Sequence, residues 1–176
     1  HIESALVRIN TLMAMKEYEK SRTLLNDFHR HIGHQPRFLA LEISLSIAEL
    51  KFDSAIEYLV NARKEKSISD NEIRTWEEKA FSGQFNRIIR EQSNDELAKY
   101  WSNLPRKVKQ REVVIVCYAN VLAQNNIQQG LDKVLLPLIK AGTNAELLKA
   151  LRTLPLRKAD DIIANIQINS QKMVFG

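Results

Sequence analysis

INTLMAMKEYEKSRTLL (residues 9–25) and ISLSIAELKFDSAIEYL (residues 43–59) say nearly the same thing twice, 34 residues apart. Set side by side, the pairs are Ile9/Ile43, Met13/Ile47, Ala14/Ala48, Tyr18/Phe52, Ser21/Ala55, Leu24/Tyr58 and Leu25/Leu59. Apolar residues face apolar ones and small residues face small ones. An aromatic residue three before a small one, with an apolar residue four beyond, repeated at this period, marks a helix-turn-helix repeat of the tetratricopeptide kind. The aromatic fills the turn, and the small residue lets the two helix backbones approach. A stack of such hairpins binds other molecules more often than it transforms them.

Working outward, helix one is expected over residues 3–15 and its partner from Glu17 to Phe28, with Gly33 and Pro36 as stop signals. The second hairpin is expected at 38–50 and 53–64, with Asp53 as a helix cap. A third copy follows at an offset of 33, where Trp76, Ala80, Phe81, Phe85 and Ile88 match Ile43, Ile47, Ala48, Phe52 and Ala55. Gly83 is expected in its turn. Its second helix, 86–92, is short, and Ser93-Asn94-Asp95 caps a further helix at 96–103 that Pro105 ends. Periodicity returns with a helix at 110–124, a turn at Asn125-Asn126, Ile127 in the aromatic's place, Gly130 in the small position and Val134 four beyond. Pro137 should kink the helix at 128–141, Gly142 should stop it, and helices at 144–154 and 158–171 should follow.

The expected fold is therefore all-α, a single tetratricopeptide-like α-solenoid of about four hairpins with an irregular third repeat. The repeats span residues 3–36, 37–70, 71–104 and 110–142, with 143–176 as the remainder. Composition agrees: 5 Gly and 4 Pro in 176 residues are too few for the many turns of a sandwich or barrel. The formal charge of +5 permits an acidic partner without demanding one. A lone cysteine, Cys117, excludes an intrachain disulfide and reads as a small core residue. The apolar run 113–123 is 11 residues long, against the roughly 18 a membrane helix needs. The chain opens at His1 without Met and closes on apolar residues (Ile162, Ile163, Ile166, Met173, Val174, Phe175), so it is read as a piece of a longer protein.

The segment 96–156, with Tyr100-Trp101, Leu104-Pro105-Arg106, Tyr118-Ala119, Leu122 and the run 135–138, resembles the C-terminal soluble region of the HemY family. The stretch from Gln35-Pro36 to Tyr58 is similar to the repeats that precede this region in that family. These are bacterial membrane-anchored tetratricopeptide proteins associated with haem biosynthesis. The resemblance implies a non-enzymatic scaffold for haem-biosynthetic enzymes at the inner membrane, held by spans upstream of this chain, with the cytoplasmic face as the expected side.

Candidate functional residues fall into three sets. The first helices of the hairpins should line a concave groove, where Arg8 and Asn10 from one repeat match Glu42 and Ser44 from the next, as Glu3 matches Arg37. The sign of charge reverses from repeat to repeat, which suits a polar protein segment and not a uniformly anionic polymer, so no nucleic acid is expected. The basic run Arg106, Lys107, Lys109, Arg111 reads as a solvated turn, or as a surface for anionic lipid or an acidic partner. His29, His31 and His34 invite haem ligation and with it one alternative function, a haem or porphyrin carrier; the other alternative is a generic peptide-binding tetratricopeptide module unrelated to haem. The histidine spacings of two and three do not share a helical face, and a frayed helix end is the plainer account. Tyr100 and Trp101 are adjacent on a helix and cannot both face inward at one angle, so one of them is a candidate surface anchor. No nucleophile-base pair, phosphate loop or metal-ligand spacing is present, so no catalytic residue, metal or obligatory cofactor is assigned.

Overall fold

The computed structural model describes residues 1–131, 133 and 134. Among them are eight α-helices and no strand: α1 (Ile2–Ala14), α2 (Tyr18–Ile32), α3 (Leu39–Ala48), α4 (Phe52–Ala62), α5 (Asp70–Glu91), α6 (Asn94–Asn103), α7 (Arg106–Lys109) and α8 (Glu112–Gln124). A 3-10 turn, Pro36–Phe38, leads into α3. Pro137, Gly142, residues 135–138 and the expected helices at 144–154 and 158–171 lie outside the described residues. The chain divides into two compact units, His1–Gln84 and Phe85–Gly176, and the division falls within α5.

In the first unit the 34-residue shift is a physical equivalence. Ile9 and Ile43, Ser21 and Ala55, and Leu25 and Leu59 are each fully buried. The turns match as well. Lys16 and Leu50, 34 apart, both hold a left-handed backbone (φ 59° and 60°). In each turn two amides bond back to the helix just ended: Lys16 to the Met13 carbonyl and Glu17 to Leu12, then Leu50 to Ile47 and Lys51 to Ser46, at 2.8–3.0 Å. This is the Schellman closure, which satisfies carbonyls that the helix end would otherwise leave unpaired. Asn125-Asn126-Ile127 closes α8 the same way, with Asn126 at φ 57°.

Two cores share α3. Leu41, Leu45 and Phe38 pack with Ala5, Ile9 and Leu25 of α1 and α2. Ile43 packs instead with Ala55, Leu59 and Ala62 of α4 and with Ile73 and Ala80 of α5. A helix covered on two sides needs apolar or small residues around most of its girth, which accounts for the mix of Leu, Ile, Ala and small Ser in LEISLSIA (41–48), where Glu42 alone is charged. On the side facing the preceding hairpin, Phe38, Leu41 and Leu45 of the second repeat correspond to Ile73, Trp76 and Ala80 of α5. That offset is 35, not the 33 read from sequence, because the packed face and not the nearest apolar letter defines the register.

Three further sequence expectations are corrected. Gly83 is not in a turn: α5 runs unbroken for 22 residues, since Phe81, Phe85 and Ile88 keep helical spacing and no proline interrupts them. The glycine instead leaves room for the ring of Phe52. The separate helix at 86–92 is accordingly the end of α5. Asp53 does not cap α4, which starts at Phe52 with Lys51 before it. Gly130 is exposed and left-handed (φ 85°), ahead of the helical residues. Counted from the Asn126 turn, buried Leu131 takes the small position and exposed Gln128 the aromatic one.

α5 begins with a capping box absent from the sequence reading. Ser69 Oγ accepts from the Glu72 amide (3.2 Å) while Glu72 accepts from the Ser69 amide (2.9 Å). In the second unit Ser93 caps α6 as expected, accepting from Glu96 N–H at 3.1 Å. Phe85, Tyr100, Trp101 and Tyr118 form one aromatic cluster, with Trp101 and Tyr118 at 4.1 Å between centroids. Tyr100 and Trp101 therefore both reach Phe85, and both stay partly exposed. α8 buries Val114, Ile115, Cys117, Leu122 and Ala123.

Candidate functional site

The groove residues separate. Arg8 and Asn10 are exposed on α1, Ser44 is half-buried on α3, and Glu42 is 3% exposed. A carboxylate that deep must find cationic or hydrogen-bonding partners to keep its charge. Glu42 has two: Arg22 Nη1 donates to one oxygen at 2.8 Å, and His29 Nε2 lies 2.6 Å from the other. The rest of the Arg22 fork grips Glu49, with Nε at 3.1 Å from Oε1 and Nη2 at 2.5 Å. Burial alone would lower the pKa of Arg22, but its bonds to Glu49 and Glu42 outweigh that and hold it above the ordinary value. α2 and α3 are thereby clasped by a fully engaged ion-pair network.

A second clasp forms around an acid 35 residues on. Glu77 of α5 is wholly buried, and Arg63, the residue after α4, donates to it through Nη2 at 3.0 Å. Glu42 and Glu77 thus stand in the same register as Phe38/Ile73, Leu41/Trp76 and Leu45/Ala80. Each is a buried acid on a helix that faces the preceding hairpin; the acids recur at 35 residues, but their arginines do not, Arg22 lying within α2 and Arg63, 41 residues later, just past the end of α4. Glu3 and Arg37, paired on paper by the 34-residue shift, are an exposed ion pair in space.

Beside the clasp lies a half-open recess of about 450 Å³ lined by Pro36, Phe38, Leu39, Tyr58, Asn61 and Lys64, with the His29 and His34 rings on its wall. The chain reverses at Gly33 (φ 74°), so His29 and His34 stack at 4.1 Å although five residues apart. A shallower recess shares His29, His34, Glu42 and Tyr58 and adds Arg22, Asn26 and Arg30. Burial, and secondarily the negative charge of Glu42, raises the pKa of the Tyr58 phenol, which keeps its proton available for donation. An apolar floor with a few polar groups suits binding. No nucleophile in it is paired with a base.

Of the three histidines, His29 Nε2 is committed to Glu42, while exposed His31 has Nδ1 2.7 Å from the Asp27 carbonyl and leaves Nε2 to solvent, and His34 is exposed beside the His29 ring. Among the described residues no three of His, Cys, Asp and Glu converge to hold a metal ion. No helix among them is long and apolar enough to cross a membrane.

In the basic run, Arg106 and Lys107 are exposed on α7, Lys109 Nζ donates to the Ser102 carbonyl at 3.3 Å, and Arg111 is half-buried before α8. Sequence reading missed Arg22, Glu49 and Tyr58. Arg22 and Glu49 are 27 residues apart, and no local spacing rule joins them. The 34-residue shift held the one available signal, since it predicts which helices become neighbours. Comparison with family models, with curated proteins and with solved structures finds no match to this chain.

Proposed function

We propose that this chain is a protein-interaction module of stacked, tetratricopeptide-like helical hairpins, the soluble part of a HemY-like inner-membrane scaffold for haem-biosynthetic enzymes. The observation that carries the solenoid reading is the interlock repeated at 34–35 residues: the same buried positions, the same Schellman turn, and a buried acid clasped by arginine at Glu42 and Glu77. Repetition of that kind builds extended surfaces. The pathway rests on the resemblance of residues 96–156 and 35–58 alone.

The exposed polar residues Arg8 and Asn10 and the recess beside His34 and Tyr58 are the contact points of this proposal. The test is capture of haem-biosynthetic enzymes by the wild-type chain, repeated with Arg8→Glu/Asn10→Arg and with His34→Ala/Tyr58→Ala. Glu42 is unsuitable as a probe because its replacement disturbs the clasp. Capture lost in a surface variant with unchanged helicity supports the reading, and absence of any specific partner counts against it. A haem titration in which the Soret band depends on His31 or His34 would favour haem carriage instead.

A further inference from the structure

The basic charge of this protein is concentrated in the second unit: residues 85–176 carry 14 Lys and Arg against 8 Asp and Glu, whereas residues 1–84 carry 12 against 13. Within the second unit, residues 97–111 hold five cations (Lys99, Arg106, Lys107, Lys109, Arg111) and no acid. Lys99 is paired with Glu96, and Glu112 follows in the first turn of α8.

The corner between α6 and α7 is built, not loose. Leu104 and Pro105 are extended (ψ 144° and 141°), which ends α6 and starts α7 at Arg106. Val108 is buried beneath the short helix, and Lys109 is tied to the Ser102 carbonyl of α6. Arg106 and Lys107, both exposed, and half-buried Lys109 thus fall within one helical turn, about 5 Å of axis, with no carboxylate partner among the described residues. A charge array held in place by its own anchors loses little freedom when a partner arrives.

We propose that this corner docks an acidic polypeptide segment, one presenting several Asp or Glu side chains within a few residues. The proposal rests on the reading of the chain as a protein-interaction module and names the chemistry of one partner surface. Two other anionic occupants fit less well. A single-stranded nucleic acid would use aromatic faces for stacking, but Tyr100 and Trp101 are turned into the cluster with Phe85 and Tyr118. A membrane surface would be helped by apolar side chains beside the cations, and Val108 is buried, while among the described residues the large exposed apolar ones (Val7, Met15, Ile32, Leu50, Val60) belong to residues 1–84.

The test uses the full chain and three probes: a fluorescein-labelled Asp/Glu-rich peptide without aromatic residues, phosphatidylcholine vesicles containing phosphatidylglycerol, and oligo(dT). The variant Arg106→Ala/Lys107→Ala/Lys109→Ala is compared with a control of equal net charge, Lys20→Ala/Lys66→Ala/Arg74→Ala in the first unit. The peptide is expected to bind with an affinity that falls about tenfold in the corner variant and less than about twofold in the control, with strong salt dependence. Equal losses in both variants mean that net charge alone is read, and overturn the site. No binding by wild type also overturns it, as does corner-dependent binding that is tighter to vesicles or oligo(dT) than to the peptide. None of these outcomes involves capture through Arg8, Asn10 or the His34 recess, so failure here leaves the module reading standing and can be told apart from its failure.

Discussion

Replacing Gly83 by alanine should destabilise the protein, against the usual rule for a glycine inside a helix. Removing such a glycine ordinarily gains about 0.5–1 kcal/mol, because alanine loses less backbone entropy on folding. At Gly83 the new Cβ would lie 2.7 Å from Cδ1 of Phe52 and closer still to Cε1 and Cζ. Carbon atoms rest about 3.5–4.0 Å apart, so the ring must retreat by about 1 Å from the groove where α4 meets α5. Overpacking of this size costs about 1–3 kcal/mol, and the balance is a net loss of about 1 kcal/mol. Urea unfolding followed by far-UV circular dichroism reads this as a lower midpoint at unchanged slope; with a slope of about 1–3 kcal/mol/M the drop is about 0.3–1 M. Phe52→Leu withdraws the ring, and in that background Gly83→Ala should regain its ordinary stabilising sign. A Gly83→Ala gain of the same size in both backgrounds would refute the claim that glycine is there to admit the aromatic ring.

Lys16→Gly and Leu50→Gly should each stabilise by about 0.5–1 kcal/mol, since both relieve a left-handed backbone at the same turn; opposite signs in thermal or urea unfolding would break the equivalence. Ser69→Ala should cost about 1 kcal/mol by opening the capping box of α5, and Ser93→Ala a similar amount at α6, by the same unfolding assay. Glu42→Gln should cost about 1.5–3 kcal/mol by replacing the buried charged acceptor of Arg22 Nη1 with a neutral amide while Arg22 keeps Glu49, whereas Glu3→Gln at the exposed Arg37 pair should cost less than about 1 kcal/mol. Tyr118 is buried, which raises its pKa above the ordinary 10.0. The folded state therefore holds that proton more tightly than the unfolded chain, and its contribution is complete below pH 10.0 and declines as pH climbs toward the raised folded value. Unfolding midpoints measured across that range should fall less steeply for Tyr118→Phe than for wild type.

The first two hairpins were legible because their determinants are local or lie one period apart. Ile9/Ile43 and Leu25/Leu59 announce the packed faces, and the turn between them is written in a few backbone bonds. Legibility failed at α5, where glycine carries two meanings: a breaker when nothing touches it, and a docking flat when a neighbouring helix supplies a ring. Sequence spacing alone does not choose between them, and Phe52 does. The capping box at Ser69–Glu72 was written in the sequence and would have placed the start of α5. The recess beside His29 was not readable, since Gly33 turns the chain back and brings together rings that a continuous helix would set on different faces.

The clasps explain why apolar repetition can specify one register. Leucine and isoleucine faces such as Leu41 and Leu45 against Ile9 and Leu25 would tolerate a slip of one helical turn, because any apolar neighbour removes similar area from water. A buried carboxylate tolerates no such slip: displaced from Arg22 and His29, Glu42 would keep its desolvation cost and lose its counter-charge. Glu77 imposes the same condition on α5 through Arg63. Apolar burial therefore supplies the drive for helix pairs to associate, and one acid per interface fixes how they associate. On this account the 35-residue step from Glu42 to Glu77, more than the apolar period around it, sets where α5 lies against α4, and the Phe52 ring reaches Gly83 as a result.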